Sequence, residues 1–221
     1  MTFPRAPVKL DDCEVHGLGS QAELFVVEGD SASQSVIRVR DARFQAVLPM
    51  QGKPMNAIRA SEKKVAAHAL FAALTDALGA GRGDGFDLAR LRYGRVLLLM
   101  DPDADGIHCG VLMLMFFHRW MRPLLDGGHV EMVLPPWGEV TAGGEDAPRY
   151  AWSDAQFRAL AGEVRGAGGR EMISLRYRGL AGIDPSLLAA TCVAPASRRT
   201  SPITTADAKT MIETFGALRA N

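Results

Sequence analysis

Little in this chain points to a secreted, disulfide-stapled or membrane protein. Its three cysteines, Cys13, Cys109 and Cys192, lie far apart with no Cys-x-x-Cys spacing, which argues against a disulfide framework and against structural zinc. No apolar run reaches the length of a membrane span; the longest, Val111 to Phe117, is interrupted by His118 and Arg119. The N-terminus shows no basic region followed by an apolar stretch, so a cytoplasmic location is expected, with no membrane partner. Charge of one sign is missing too: 25 basic residues face 25 acidic ones, for a formal net charge of +0. Nucleic-acid binders are usually basic, so DNA contact here needs a local basic surface or a partner. No Gly-x-x-x-x-Gly-Lys-Ser/Thr loop occurs, and no ATPase activity of the chain's own is expected.

What is present is an ordinary globular composition, 48% apolar and 23% charged, enough for one good core with a small appendage. The densest signal is Arg95-Val-Leu-Leu-Leu-Met-Asp-Pro-Asp-Ala-Asp-Gly-Ile-His108. A strand-like apolar segment ends in three alternating carboxylates, Asp101, Asp103 and Asp105. Like charges this close repel by about 1 kcal/mol per pair at 4 Å even in water, a cost that a cation among them relieves. Oxygen donors on a short turn suit Mg²⁺ or Ca²⁺, not zinc. An EF-hand would need a Glu at the twelfth loop position, where this chain has Leu112, and a helix where this chain has a strand. A solvated acidic turn and a ligand site at the carboxyl end of a parallel strand both remain open on this stretch alone.

A second junction of the same design lies upstream. Glu23-Leu-Phe-Val-Val-Glu-Gly-Asp-Ser-Ala32 runs from an apolar strand through Glu28 and Gly29 into a helical stretch. Further along, strands are expected at 44–48, 95–100 and 129–134, and a helix from Glu62 to Leu78 is expected to be capped by Ser61 and ended by Gly79. Another helix is expected over Ile107–Met121. Strands alternating with helices predict a mostly parallel α/β sheet. After Pro135-Pro136 the pattern changes. It gives a turn at 141–147, a short strand at 149–152, a helix with a Ser153/Gln156 capping box, and a loop at Gly166–Gly169. A helix entered through Asp184-Pro185, a loose linker at 194–204 and a closing helix at about 206–218 complete the reading.

Together the two strand-to-acid junctions resemble the Toprim fold, a Rossmann-like α/β architecture. Val27-Glu-Gly-Asp-Ser-Ala32, Arg43-Phe-Gln-Ala-Val-Leu-Pro49, Gly52-Lys53, Asn56, Phe86-Asp87-Leu88, Leu91-Arg92-Tyr93, Gly106, His108, Phe116-Phe117, Pro135-Pro136, Arg176-Tyr-Arg-Gly-Leu180 and Asp184-Pro185 narrow the likeness. They resemble the B subunit of bacterial type IIA topoisomerases, the family of the DNA gyrase B subunit and its topoisomerase IV counterpart. The resemblance implies a lead-in at 1–22, a Toprim domain at 23–137 and a small α+β tail subdomain at 138–221. It implies Glu28, Asp101 and Asp103 around one Mg²⁺, with Asp103 and Asp105 available to a second, and Mn²⁺ or Ca²⁺ as substitutes. It also implies reversible cleavage of double-stranded DNA by a tyrosine on a separate A subunit, with Glu28 as general acid. Lys53 would then meet a phosphate, Asn56 would contact DNA, an ATPase subunit would act in trans, and His108, Arg176, Tyr177 and Gly179 would be supporting residues. The chain's own Tyr93, Tyr150 and Tyr177 do not sit in a setting suited to a nucleophile.

Several positions depart from that family's pattern. Ser33-Gln34 replaces a glycine pair, while Gln51, Gly110 and Glu139 stand where basic residues are usual. Arg178-Gly-Leu-Ala-Gly182 stands for Lys-Gly-Leu-Gly-Glu. Each lost cation removes counterion release from DNA binding. A non-enzymatic protein that docks on and modulates an A subunit, and a free-standing Toprim nuclease, are the alternatives.

Overall fold

The computed structural model describes residues 9–144, 147–166 and 172–218; most of the loop expected at 166–169 and the first part of the lead-in fall outside them. In chain order the first half contains β1 (Glu23–Glu28), α1 (Asp30–Val39), β2 (Gln45–Met50), α2 (Glu62–Ala66), α3 (Ala69–Leu78), β3 (Arg95–Leu99), α4 (Ala104–Trp120), α5 (Arg122–Asp126) and β4 (Val130–Val133). The second half adds β5 (Gly138–Ala142), β6 (Arg149–Ala151), α6 (Asp154–Gly166), β7 (Met172–Arg176), α7 (Pro185–Leu188), β8 (Thr200–Pro202) and α8 (Thr205–Leu218).

A five-stranded sheet runs β2-β1-β3-β4-β8, its first four strands parallel and β8 antiparallel against β4. Its central strands are buried on both faces, which is why they read as continuous apolar runs. Leu24 and Val26 face one core with α3 and α4, while Phe25 and Val27 face a second with α1 and α7. The chain leaves β1 toward β2 on one side, then returns to place β3 on the other. The gap between the carboxyl ends of β1 and β3 is therefore a topological switch point, where open α/β sheets bind ligands.

The second, smaller sheet is antiparallel, in the order β6-β5-β7, with α6 packed on one face through Val140, Ala142, Ala161 and Val164. After it the chain returns to the large sheet. A turn of π-helix at Ala189–Val193 covers the second core, and Arg198 forms a buried bidentate pair with Glu23 at the start of β1. Strand β8 then extends the sheet, and α8 lies against α4.

Four local expectations change. The helix expected over 62–78 is two helices, broken at Ala67-His68, where His68 is extended; the break seats Phe71 flat on Phe116 at 4.3 Å. Helix α4 begins at Ala104 rather than Ile107, because the Asp103 side chain caps it by accepting from Gly106 N at 2.8 Å. Thr141 and Ala142 continue β5 rather than forming a turn. The linker expected at 194–204 contains β8. No helix among the described residues is long and apolar enough to cross a membrane.

Candidate metal and phosphate site

Glu28 ends β1, and the turn into α1 is made by Gly29 at φ +81°, a left-handed value that glycine tolerates at no steric cost. Asp101 follows β3 directly. The neighbouring strands bring these two acids together: the Asp101 backbone N–H donates to Glu28 Oε2 at 3.4 Å. Both are half-buried. Burial pushes the Glu28 carboxyl up, with the Asp101 and Asp103 charges adding to it, against hydrogen bonds from Cys109 and the Asp101 amide. Asp101 is raised for the same reasons, burial first and then Asp103, against the Leu180 amide.

The turn carrying the acids is tight. A Cβ on Gly106 would lie 2.1 Å from the Asp101 carbonyl oxygen, so no side chain fits there. Asp103 spends one oxygen on the helix cap. Asp105 points to solvent and pairs with Lys53 Nζ at 2.9 Å, and that hydrogen bond holds its carboxyl below the usual range. Among the described residues no three of these four acids bring oxygens within 4.8 Å of one another; the group that meets that spacing is Asp12, Cys13 and His16. A cavity of about 350 Å³ opens beside Glu28, lined by Gly29, Met50, Gly52, Lys53, Asp105 and Cys109.

The remaining expected residues are placed as follows. Asn56 turns its Oδ1 inward, accepting from Ile58 N at 3.1 Å and Arg59 N at 3.2 Å. The His108 ring sits 4.5 Å from that of Phe215 on α8. Arg176 lies over Trp137 at 4.6 Å and pairs with Asp154. Tyr177 is buried and donates to Glu139 Oε2 at 2.6 Å. Gly179 runs past Asp101 so closely that a Cβ would sit 3.4 Å from its Oδ2. Tyr93 is fully buried, with its hydroxyl on Asp12 Oδ1.

Two groups escaped the sequence reading. Leu180 N–H donates to Asp101 Oδ1 at 2.8 Å, so the Arg176–Leu180 motif reaches the acid through its backbone, which no side-chain pattern discloses. Cys109, read from the sequence only as one of three scattered cysteines, donates to Glu28 Oε1 at 3.3 Å. Burial and the Glu28 charge push that thiol up to about 12. Its place one helical turn past Asp105, on the face toward β1, was the available signal.

A model of the Toprim domain matches residues 23–134, the segment that carries the two acids at the switch point, the acidic turn and Lys53. The chain belongs to the Toprim family. The likeness to curated relatives runs well beyond that Toprim segment. The chain is 38% identical to the DNA gyrase B subunit of Archaeoglobus fulgidus over 212 residues, 96% of this chain and 32% of that protein. It is 37% identical to the Thermotoga maritima protein of the same name over 216 residues, 97% of this chain and 33% of that protein. With the DNA gyrase B subunit of Thermus thermophilus it shares 38% over 216 residues, 96% of this chain and 33% of the other. The chain thus spans about a third of the length of these relatives. For a Toprim protein, the donor set fits a hard cation: Glu28, Asp101 and Asp103 offer only oxygen, and Glu28 and Asp101 are raised first by burial and then by neighbouring carboxylates.

Proposed function

We propose that the chain is the Mg²⁺-dependent Toprim module of a type IIA DNA topoisomerase, completing a breakage–rejoining site with a tyrosine-bearing A subunit, in the cytoplasm. The observation that carries this is the Glu28–Asp101 junction at the switch point, with Lys53 across the cleft. Glu28, Asp101 and Asp103 would hold one ion, with Asp103 and Asp105 available to a second. When bound, Mg²⁺ supplies charge stabilisation to phosphate oxygens. The chain's own residues do the rest. Glu28, whose carboxyl burial pushes up, would act as general acid toward the leaving 3′ oxygen of the cleaved strand. Lys53, exposed and paired with a solvated Asp105, would exchange that carboxylate for a DNA phosphate as a point charge. Asn56, with its carbonyl oxygen engaged in its own turn, would offer its amide N–H₂ to DNA. Leu180 N–H and Gly179 would fix the orientation of Asp101. The nucleophile would come from the partner, since Tyr93 and Tyr177 are buried with their hydroxyls tied to Asp12 and Glu139. ATP hydrolysis would be supplied by a separate module.

The test is to mix the protein with a gyrase-type A subunit and supercoiled plasmid. Mg²⁺-dependent covalent cleavage complexes are expected, lost in Glu28→Ala and in Asp101→Ala. Cleavage that persists unchanged in both variants would sink the reading.

A second reading has its own support. Gln51 points its amide toward Asp30 at 3.4 Å, Glu139 is tied to Tyr177, and Gly110 is buried under Met100 and Met132. Three positions that are usually basic thus present no cation, which favours a protein that docks on an A subunit and modulates it. Binding to the A subunit with no metal affinity and no cleavage would select it. Nicking by the chain alone would instead select a Toprim nuclease.

A further inference from the structure

Strand β7 is an edge strand of the small sheet and is exposed over most of its length. Met172, Ser174 and Arg176 pair with Ala142, Val140 and Gly138 and lie on the side that α6 covers, where Phe157 meets Gly138. Ile173 and Leu175, two residues apart, lie on the opposite side and are 68% and 48% exposed. An edge strand that exposes Ile and Leu on the face away from its helix leaves an apolar patch open to a covering layer. The register sets Tyr150, Glu139 and Leu175 side by side across β6, β5 and β7, with Thr141 beside Ile173.

At its Leu175 end this face opens into a cavity of about 580 Å³, lined among others by Glu139, Tyr150, Tyr177, Ile183 and Asp184. Neither Glu139 nor Asp184 has a basic partner among the described residues. Tyr177 orients Glu139, and Asp184 caps α7. Burial, then Glu139 and Asp184, raises the pKa of both Tyr150 and Tyr177, so the phenols stay neutral and the cavity keeps its negative charge in the two carboxylates.

We propose that this face docks a partner polypeptide through one arginine or lysine flanked by apolar residues. The cation enters the cavity between Glu139 and Asp184, against the tyrosine rings, where cation–π attraction adds to charge pairing. Its apolar neighbours cover Leu175 and Ile173. The same charges repel phosphate, so the surface selects against nucleic acid. This surface is separate from the metal and phosphate site and does not depend on the reading given for it.

The experiment uses the whole chain and a fluorescein-labelled hexapeptide, Gly-Leu-Arg-Leu-Ile-Gly, with anisotropy for affinity and amide NMR shifts for location. The expected result is shifts at residues 139, 150, 173, 175 and 177, and at least about tenfold weaker binding for a norleucine-for-arginine peptide and for Glu139→Gln/Asp184→Asn. Glutamine and asparagine keep the acceptors of Tyr177 and of the α7 cap, so both variants should fold, which far-UV CD checks. Glu139→Lys/Asp184→Lys should prefer a glutamate-bearing peptide, reversing the selectivity. The proposal is overturned by equal binding of the norleucine peptide, by displacement with a DNA duplex that shifts the same amides, by self-association of the chain through this face, or by no peptide binding.

Discussion

Arg198→Met should be among the most damaging single substitutions in the chain. Arg198 and Glu23 side chains are 3% and 4% exposed and meet through two hydrogen bonds at 2.6 and 2.5 Å. Gln45 Nε2 donates a third bond to Glu23 at 2.9 Å. Removing the cation leaves a buried carboxylate with one neutral donor, and breaking such a pair costs about 3–5 kcal/mol. At about 2–4 °C per kcal/mol for a chain of this size, the midpoint should fall by about 6–20 °C. Glu23→Leu/Arg198→Met removes both charges and should recover most of the loss, since apolar replacement of a buried pair is often neutral or stabilising by about 1–4 kcal/mol. Urea titration of parent, both singles and the double closes the cycle. A single-variant cost below about 1 kcal/mol, or a double as unstable as the sum of the singles, would refute the reasoning.

Gly106→Ala has nowhere to put its methyl group, so about 3 kcal/mol, the upper end of overpacking costs, should be lost in thermal melts, together with cleavage in the A-subunit assay. Millimolar Mg²⁺ should raise the melting midpoint, by the equivalent of about 2.7 kcal/mol at a hundred times its Kd, and differential scanning fluorimetry of Asp101→Asn should show no such rise. All three thiols are raised by burial, Cys192 up to about 11; iodoacetamide at pH 8 should leave them unlabelled in the folded protein, and mass spectrometry would detect an exception. Asp12 is pushed up by burial but held well below the ordinary range by hydrogen bonds from Tyr93, His16, Arg92 and Cys13 N. A depressed folded pKa contributes stability above the unfolded value of about 3.9 that is lost as pH falls through the folded one. Asp12→Asn should therefore be less stable at pH 7 and flatter on the acid side in urea melts run from pH 7 to pH 2.

The parallel sheet was legible because β1, β2 and β3 are mostly apolar and alternate with helical stretches. The positions of Glu28 and Asp101 at the ends of β1 and β3 were legible for the same reason. What stayed hidden was made by long-range pairing. Thr200-Ser-Pro202 has no strand pattern; it becomes β8 only because β4 presents a free edge, and an edge tolerates proline. The Leu180 amide on Asp101 has no residue-type signature. The break at Ala67-His68 follows from where α3 must bury Phe71, which local helix propensity does not record.

Glu23 and Arg198 stand 175 residues apart in sequence. Closing a loop of that length costs about 4–5 kcal/mol in chain entropy, as much as the finished pair holds. The contact is therefore expected to form late in assembly, after β1, β2 and β3 have aligned and before β8 pairs with the edge of β4. In stopped-flow chevrons, Arg198 variants should leave the folding arm nearly unmoved and lift the unfolding arm. On that outcome, the contact that forms last would be the latch that sets how long the folded protein survives.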